Sequence, residues 1–220
     1  MPQPSPVSTK DRLLDAAERL FAERGVHATS SRDIVSEAGQ RNESALQYHF
    51  GSREGLIEAL HERRLGQVQA ARFEKLEALL ATDPTPSVRD LILAITLPVI
   101  ELCGRDAGFI AYLRVFGQVA MAPSDALAHG LRHEAASVRE AARLIMTQLD
   151  LHPRIERLRF DAISRFVILS LSQHARNDGS FRGRAFELYF NDLVDVVCGM
   201  LRADVSEETR RALARQGAQP

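Results

Sequence analysis

Apolar residues recur at steps of three and four along nearly the whole chain, which is the period of amphipathic α-helices. The first such stripe follows Ser8 and Thr9, either of which can cap a helix, and it ends at Gly25. Its apolar positions are Leu13, Leu14, Ala17, Leu20 and Phe21. No region alternates with period two for long enough to require a sheet. The pattern therefore predicts an all-α fold.

Two short helical segments follow this first helix. The segment SRDIVSEAG predicts a helix capped by Ser30 or Ser31 and stopped by Gly39. The next segment, QRNESALQYHF, predicts a third helix whose apolar side is formed by Ala45, Leu46 and Phe50. Two short helices joined by a tight connection that contains glycine have the dimensions of a helix-turn-helix.

Longer helices occupy the rest of the chain. Ser52 caps a fourth helix that runs to about Thr82, and the run DPTPS after it is a loop. Beyond this loop the pattern predicts five large helices, the first of them bent or broken at Pro98. They span residues 88–103, 106–121, 124–149, 154–176 and 184–201. A polar tail from Ser206 to Pro220 has room for one more short helix.

Composition limits the classes of function. The chain of 220 residues is 45% hydrophobic and 26% charged, which is typical of a soluble globular protein. Its 28 basic and 29 acidic residues give a net charge of -1, so any attraction to nucleic acid must come from a local arrangement of charge. Cys103 and Cys198 have no metal-binding or redox spacing. With no secretory signal and no apolar run long enough for a bilayer, a cytoplasmic protein without a membrane partner is predicted.

The third helix carries the most suggestive side chains. Its polar surface holds Arg41, Asn42, Ser44, Gln47, Tyr48 and His49. Asparagine and glutamine pair with adenine and arginine pairs with guanine, whereas hydroxyl and imidazole groups reach phosphate. Arg53 stands in the first turn of the fourth helix, where a cation opposes the helix dipole unless it faces an anion such as phosphate. From composition alone, an ordinary solvated face remains the alternative.

The stretch from Arg12 to Leu60 resembles the DNA-binding domain of the TetR family of bacterial transcriptional repressors. The matching text is LLDAAERLFAERGVHATSSRDIVSEAG followed by SALQYHFGSREGLIEAL, and YHFGSREGL is its most specific part. The interval from Gly39 to Phe50 is one residue longer than is usual in the family. Which of Arg41 and Asn42 reaches DNA therefore stays open, and Glu43 is a candidate for a cytosine contact or a helix cap.

The resemblance implies a division of the chain. Residues 1–9 form a disordered arm, 10–55 a three-helix helix-turn-helix domain that binds DNA, 56–205 an all-helical regulatory domain for ligand binding and dimerisation, and 206–220 a polar tail. The implied DNA-binding residues are Thr29, Ser30, Ser31, Arg32, Arg41, Asn42, Ser44, Ala45, Gln47, Tyr48, His49 and Arg53. The implied partners are a palindromic operator in double-stranded DNA and a second copy of the chain, and repression is the family default although activators occur.

Helices 154–176 and 184–201 correspond to the family's four-helix dimer interface. Their apolar character agrees with this assignment, although one of them could instead form the core of the body. The resemblance also implies a small, largely apolar inducer. Candidate contacts are Phe109, Tyr112, Phe116, Gln118, Met121, Phe166 and His174, but aromatic and methionine side chains at helical spacing are more often core residues than pocket residues. A regulator without a small-molecule ligand remains an alternative, and no cofactor or metal is predicted.

An enzyme built on a helical bundle is the competing class. His61-Glu62 and His133-Glu134 begin like a zinc-protease helix, but Leu65 and Ser137 stand where the second histidine is required. Glu58 and His61 have the spacing of a di-iron ligand pair without a second copy elsewhere. No Gly-rich phosphate loop or nucleophile elbow is found. The sequence therefore predicts a DNA-binding regulator rather than an enzyme.

Overall fold

The computed structural model describes residues 8–42, 44–121, 136–177 and 179–217. Within these ranges the backbone forms ten helices and no strand. The helices are α1 (Thr9–Arg24), α2 (Ser31–Glu37), α3 (Ser44–Phe50), α4 (Arg53–Thr82), α5 (Val88–Arg105), α6 (Ala107–Met121), α7 (Ala136–Met146), α8 (Pro153–Asn177), α9 (Arg184–Arg202) and α10 (Glu207–Gly217). The predicted all-α class is confirmed.

Helices α1–α3 pack together and are called the N-terminal unit below. Their buried apolar residues form one cluster with Leu56 and Leu60, which lie near the start of α4. The cluster is built on the predicted stripe of α1 together with Ile34 from α2 and Leu46 from α3. Serines begin the helices as the sequence predicts: the Oγ of Ser8 accepts a hydrogen bond from the backbone N–H of Asp11 at 3.1 Å.

Helix α3 begins later than predicted, at Ser44 rather than near Gln40. Gly39 ends α2 with a positive φ of 67°, and the N–H of Gln40 then returns to the carbonyl of Val35 at 2.9 Å. Asn42 turns the chain into α3, because its Oδ1 accepts a hydrogen bond from the N–H of Ser44 at 3.0 Å. The residues before Ser44 therefore form the connection between the two helices.

Helices α4–α9 form the body, which has its own buried cluster. Each of the six helices contributes to it, for example through Leu76, Leu91, Phe109, Ile145, Leu171 and Val194. The predicted pair of long C-terminal helices is present as α8 and α9, and they pack against each other. The predicted helix 124–149 is described only from residue 136 onward. Residues 1–7 of the predicted arm also lie outside the described ranges.

Helix α5 continues through Pro98, so of the predicted bend or break the break does not occur. A proline lacks the N–H that a helix would use and leaves nearby carbonyls of the preceding turn without their usual donor. In this helix the Nε of Arg72, on α4, donates to the carbonyl of Ile95 at 2.8 Å. This acceptor is one residue beyond Ala94, whose carbonyl lacks the N–H of residue 98, so the bond from α4 and the burial of Pro98 both hold α5 at this turn.

Helix α6 connects the body to the N-terminal unit. It packs on α8 and also on α1, and its Val115 is part of the buried cluster of the N-terminal unit. The approach to α8 is close at Gly117, where an added Cβ would lie 2.2 Å from the Oγ of Ser172. That hydroxyl donates to the carbonyl of Leu113 at 2.8 Å. Both α4 and α6 thus join the two clusters.

In the described ranges, no helix is both long enough and apolar enough to span a membrane.

Candidate DNA-binding surface

Helix α3 presents a polar face away from the core of the N-terminal unit. Leu46 is buried, whereas Ser44, Gln47 and Tyr48 are exposed, and the side chain of Tyr48 is 84% accessible. His49 is half-buried, and its ring lies edge-on to that of Tyr48 with the centroids 5.0 Å apart. Together with Asn42 and Ala45, these residues line an open depression of about 480 Å³. This set of six residues, 42, 44, 45, 47, 48 and 49, is called the α3 surface.

The predicted residues at the start of α2 have mixed surroundings. Arg32 is exposed and Ser31 is half-buried. Ser30 caps the helix: its Oγ accepts from the N–H of Asp33 at 3.1 Å, and its own N–H donates to the Asp33 carboxylate at 3.0 Å. The hydrogen bonds from the Ser30 side chain and backbone hold the pKa of Asp33 below its ordinary value. The side chain of Ser30 is therefore committed to the cap, although it remains exposed.

Thr29 differs from the prediction, because its side chain is buried in the N-terminal unit. Its hydroxyl is shared between the carbonyl oxygens of Gly25, at 3.0 Å, and Leu20, at 3.2 Å. These carbonyls belong to the end of α1, where intrahelical donors run out. Thr29 thus closes the end of α1, and its side chain is not available to DNA.

We expect Thr29→Val to lower the free energy of unfolding by about 1–2 kcal/mol, because buried carbonyls lose a hydrogen-bond donor while the side-chain volume is kept. Thr82→Val is the matched control, since the exposed hydroxyl of Thr82 also donates to a carbonyl at a helix end, that of Leu79. Urea unfolding of both variants measures the difference. Equal losses in the two variants would show that burial of Thr29 does not matter.

Arg53 also differs from the prediction, because its guanidinium is bound within the chain. It donates to the carbonyls of Val26 and Thr29, and it lies 5.3 Å from the centre of the Phe21 ring. These contacts explain why a cation is tolerated in the first turn of α4, where we expected it to face phosphate. Arg53 instead ties the connection between α1 and α2 to α4.

Lys10 is a cation beside the α3 surface that the sequence reasoning missed. It is exposed near the start of α1, and its ammonium lies 6.0 Å from the centre of the Phe50 ring, at the end of α3. Like Arg53, Lys10 is a cation in the first turn of a helix, where it opposes the helix dipole, and the sequence could have identified it on this ground. Lys10 therefore belongs with Arg32 and Arg41 among the exposed cations around this surface.

Two of the predicted ligand contacts lie next to each other on α6. Phe109 and Tyr112 are both buried, with ring centroids 5.5 Å apart. The Tyr112 hydroxyl is 2.9 Å from Nδ1 of His61, which lies on α4. Burial lowers the pKa of His61 and raises that of Tyr112, so both are neutral near pH 7. The pair places a polar contact between α4 and α6.

Two further predicted ligand contacts lie on α8. Phe166 is half-buried on α8 and packs against the body cluster. His174 serves the fold, because its Nε2 is 2.6 Å from the Ser180 carbonyl and its ring stacks on Tyr189 at 4.7 Å. The side chains of Phe116, Gln118 and Met121 lie outside the described residues.

A groove of about 470 Å³ lies elsewhere, where α10 and the end of α9 meet the connection before α8. None of the predicted ligand residues lines it. Among the residues described, no three His, Cys, Asp or Glu side chains are arranged to hold a metal ion.

Comparison with known proteins gives one family match. Residues 13–60 match the family described as bacterial regulatory proteins, tetR family. A curated relative, the HTH-type transcriptional repressor KstR2 of Mycolicibacterium smegmatis, is 35% identical over 91 residues. This match covers 40% of the present chain and 42% of the relative, so the chain spans less than half the length of this repressor.

Two solved structures share the fold over nearly the whole chain. The AmtR structure from Mycobacterium smegmatis has a TM-score of 0.53 and 22% identity, and the match covers 100% of both chains. The ketosteroid transcriptional regulator KstR2 of Mycobacterium tuberculosis also has a TM-score of 0.53, with 19% identity over 87% of this chain and 96% of that one. At such identities the likeness concerns the arrangement of the helices.

Proposed function

We propose that this chain, whose residues 13–60 match the tetR family of bacterial regulatory proteins, is a transcriptional regulator of that family and binds a palindromic DNA operator as a homodimer. In this proposal α3 enters the major groove, and the protein represses transcription until a small, largely apolar inducer releases it. A regulator that binds DNA without such a ligand is the second candidate, because none of the predicted ligand residues lines the groove of about 470 Å³ and the ring of His174 is held by the chain itself.

The observation that carries the proposal is the α3 surface. A small buried cluster holds the apolar side of α3, so its outward side chains are presented from a rigid support. Gln47 is suited to an adenine edge, and Tyr48 to phosphate or to the apolar methyl of thymine. A tyrosine that is 84% accessible forgoes the burial that such a ring normally gains, which is expected where a partner covers it.

We place the proposed second copy against α8 and α9, on which three large apolar residues are exposed. Leu158 on α8 and Leu188 and Val196 on α9 are large apolar residues that remain exposed, with Leu188 at 74%. They stand on the two helices that the resemblance assigns to dimerisation. The set of Leu158, Leu188 and Val196 is called the α8–α9 face. A two-fold axis brings each of these residues into the interface from both subunits. The apolar area buried on dimerisation is therefore twice that of one subunit's set.

Dimerisation explains how a chain of net charge -1 reads DNA. Residues 9–50 include six basic and seven acidic residues, so one N-terminal unit has no excess of positive charge and its affinity for phosphate alone is low. Two units held about 34–36 Å apart engage successive major grooves together, and the second contact then costs no further loss of translational freedom. Specific binding in this account depends on the dimer.

Release by an inducer follows from linkage. A ligand that binds better to a form with displaced N-terminal units weakens DNA binding by the same factor by which DNA weakens ligand binding. Helices α4 and α6 are the connections available for this coupling, since both contact the cluster of the N-terminal unit.

The test uses a DNA duplex selected from a random library by the purified protein. We expect Gln47→Ala to weaken binding about tenfold or more and to relax preference at one base position, because a bidentate base contact contributes about 1–3 kcal/mol. Fluorescence anisotropy against single-base variants of the duplex measures both effects. Phe73→Ala, at an exposed aromatic residue of α4, is the control and is expected to bind as the wild type does. Unchanged affinity and base preference in Gln47→Ala would contradict the assignment of α3.

A further inference from the structure

A buried arginine of α4 binds two carboxylates, one on α1 and one at the residue between α5 and α6. Arg64 of α4 is 6% exposed, and its Nε donates to Oε1 of Glu18 on α1 at 2.7 Å. Its Nη2 donates to the other oxygen of the same carboxylate, so the contact is bidentate. Its Nη1 donates to Asp106 at 2.5 Å and to the Oε1 of Gln67 at 2.9 Å. Glu18, Arg64 and Asp106 are called the junction below.

The position of Asp106 extends the junction to two further helices. Its N–H donates to the carbonyl of Leu102 at the end of α5, and its Oδ1 accepts from the N–H of Gly108 at 2.8 Å in the first turn of α6. Burial raises the pKa of Asp106, but the hydrogen bond and charge of Arg64 outweigh it and the pKa falls below the ordinary value. The carboxylate is therefore ionised at neutral pH and holds the corner between α5 and α6 against Arg64.

The junction leaves little room for adjustment. The planar fork of an arginine fixes the direction as well as the distance of a carboxylate. An added Cβ on Gly108 would lie 2.6 Å from the Nη2 of Arg64 and 3.1 Å from the Oε2 of Glu18. The guanidinium also lies 5.8 Å from the centre of the Phe109 ring. The first turn of α6 is thus packed directly against the ion pair.

A buried ion pair of this kind is weak evidence for a role in stability. Desolvation of the charges offsets much of their attraction, and apolar replacements of similar volume are often neutral or stabilising. What the junction supplies is a defined geometry between α1, α4 and the corner where α5 meets α6. Arg63 repeats the link between α4 and α1, because it lies 2.7 Å from Asp15 at the surface and 3.3 Å from the Oε2 of Glu18 in the junction.

From these observations we infer that Arg64 is a positioning residue, which fixes the angle between the N-terminal unit and the body and thereby sets the half-site separation that the dimer accepts. This inference rests on the proposed function. In a dimer the two α3 helices reach DNA through their own bodies, so a change of angle at each junction moves them relative to each other. A firmly held angle makes binding sensitive to the spacing of the operator.

The test measures binding to a series of operators whose half-sites are moved apart or together by one base pair. One base pair shifts a half-site by about 3.4 Å and rotates it around the helix axis. We expect the wild type to lose about tenfold or more in affinity at either altered spacing. The double variant Glu18→Leu with Arg64→Met removes both charges, and we expect its affinities for the three spacings to lie within about threefold of one another.

A matched control removes another ion pair of α4. Lys75 binds Glu101 of α5 at 2.7 Å, inside the body and away from α1. The double variant Lys75→Met with Glu101→Leu should keep the spacing profile of the wild type. Arg64→Lys is the second junction variant, because it keeps the positive charge but loses the bidentate guanidinium contact. If the double variant does not fold, this variant tests whether Arg64 sets the spacing preference. We expect the same loss of spacing preference in it.

The two ideas fail in different ways. If the wild type selects no duplex, the proposed function is wrong. A second outcome is that the wild type binds its operator with a sharp spacing preference that both folded junction variants keep. In that case the proposed function is supported and the positioning role of Arg64 is wrong.

Discussion

Replacing Leu188 by glutamate is expected to separate the dimer into monomers and to weaken operator binding by about a hundredfold or more. Leu188 is 74% exposed on α9, so the new carboxylate is solvated in the single chain and the fold is not affected. Across a two-fold axis the change appears twice, and it places charges in an apolar contact. Sedimentation velocity gives the mass in solution, and anisotropy with the selected operator gives the affinity.

The control for this variant is Phe73→Glu, which adds the same charge at an exposed apolar residue of α4. We expect it to remain dimeric and to bind DNA as the wild type does. A Leu188→Glu protein that stays dimeric would show that the α8–α9 face is not the contact. A monomeric Leu188→Glu protein with full affinity would contradict the dependence of DNA binding on the dimer.

Gly55→Ala is expected to lower the free energy of unfolding of the N-terminal unit by about 3 kcal/mol. An added Cβ would lie 2.1 Å from the carbonyl oxygen of Phe50, the last residue of α3. Because that oxygen is part of the backbone, α3 must shift relative to α4. Alanine normally stabilises a helix by about 1 kcal/mol relative to glycine, which is smaller than the cost of this overlap. Chemical denaturation and operator binding measure the two consequences.

Gly66→Ala is the matched control on the same helix. A Cβ at Gly66 meets no atom within 4 Å, so only the helix preference of alanine remains. We therefore expect this variant to be more stable than the wild type by up to about 1 kcal/mol and to bind DNA normally. If Gly55→Ala behaved in the same way as Gly66→Ala, the close approach of α3 to α4 would not determine the turn.

Helix positions could be predicted from sequence because the signals for them are local. Ser8, Ser52 and Gly25 lie at helix ends, and the spacing of apolar residues identifies the buried side of each helix. The predicted start of α3 near Gln40 was wrong, because hydrogen bonds of the preceding turn determine where this helix begins. The N–H of Gln40 donates to the carbonyl of Val35 after Gly39, and Asn42 accepts from the N–H of Ser44. These residues form the turn before α3, and no apolar pattern identifies them as a turn.

The roles of individual polar residues could not be predicted as well, because their partners are distant in sequence. Thr29 and Arg53 stand at positions that suggest a surface, but they meet carbonyls of α1 and of the segment after it. Arg64 gave no signal at all, since Glu18 and Asp106 are far from it along the chain. Pro98 is a similar case, because Arg72 from another helix supports α5.

The ligand candidates show the same difficulty. Phe109 and Tyr112 were predicted as ligand contacts from aromatic residues at helical spacing, and the structure places their rings 5.5 Å apart in the buried body cluster. His174 stood on an otherwise apolar segment, which suggested a ligand, but its ring is held by Tyr189 and by the Ser180 carbonyl. A buried polar group needs a partner, and the sequence does not say whether that partner is a ligand or the chain itself.

The most direct test of the account is selection of DNA from a random duplex library, followed by the mass of the complex with the selected duplex. The account predicts an inverted repeat whose half-site centres lie about one helical turn apart, bound by two copies of the chain. It also predicts that a duplex carrying one half-site binds much more weakly. Enrichment of no sequence, or equally tight binding of a single copy to one half-site, would contradict it.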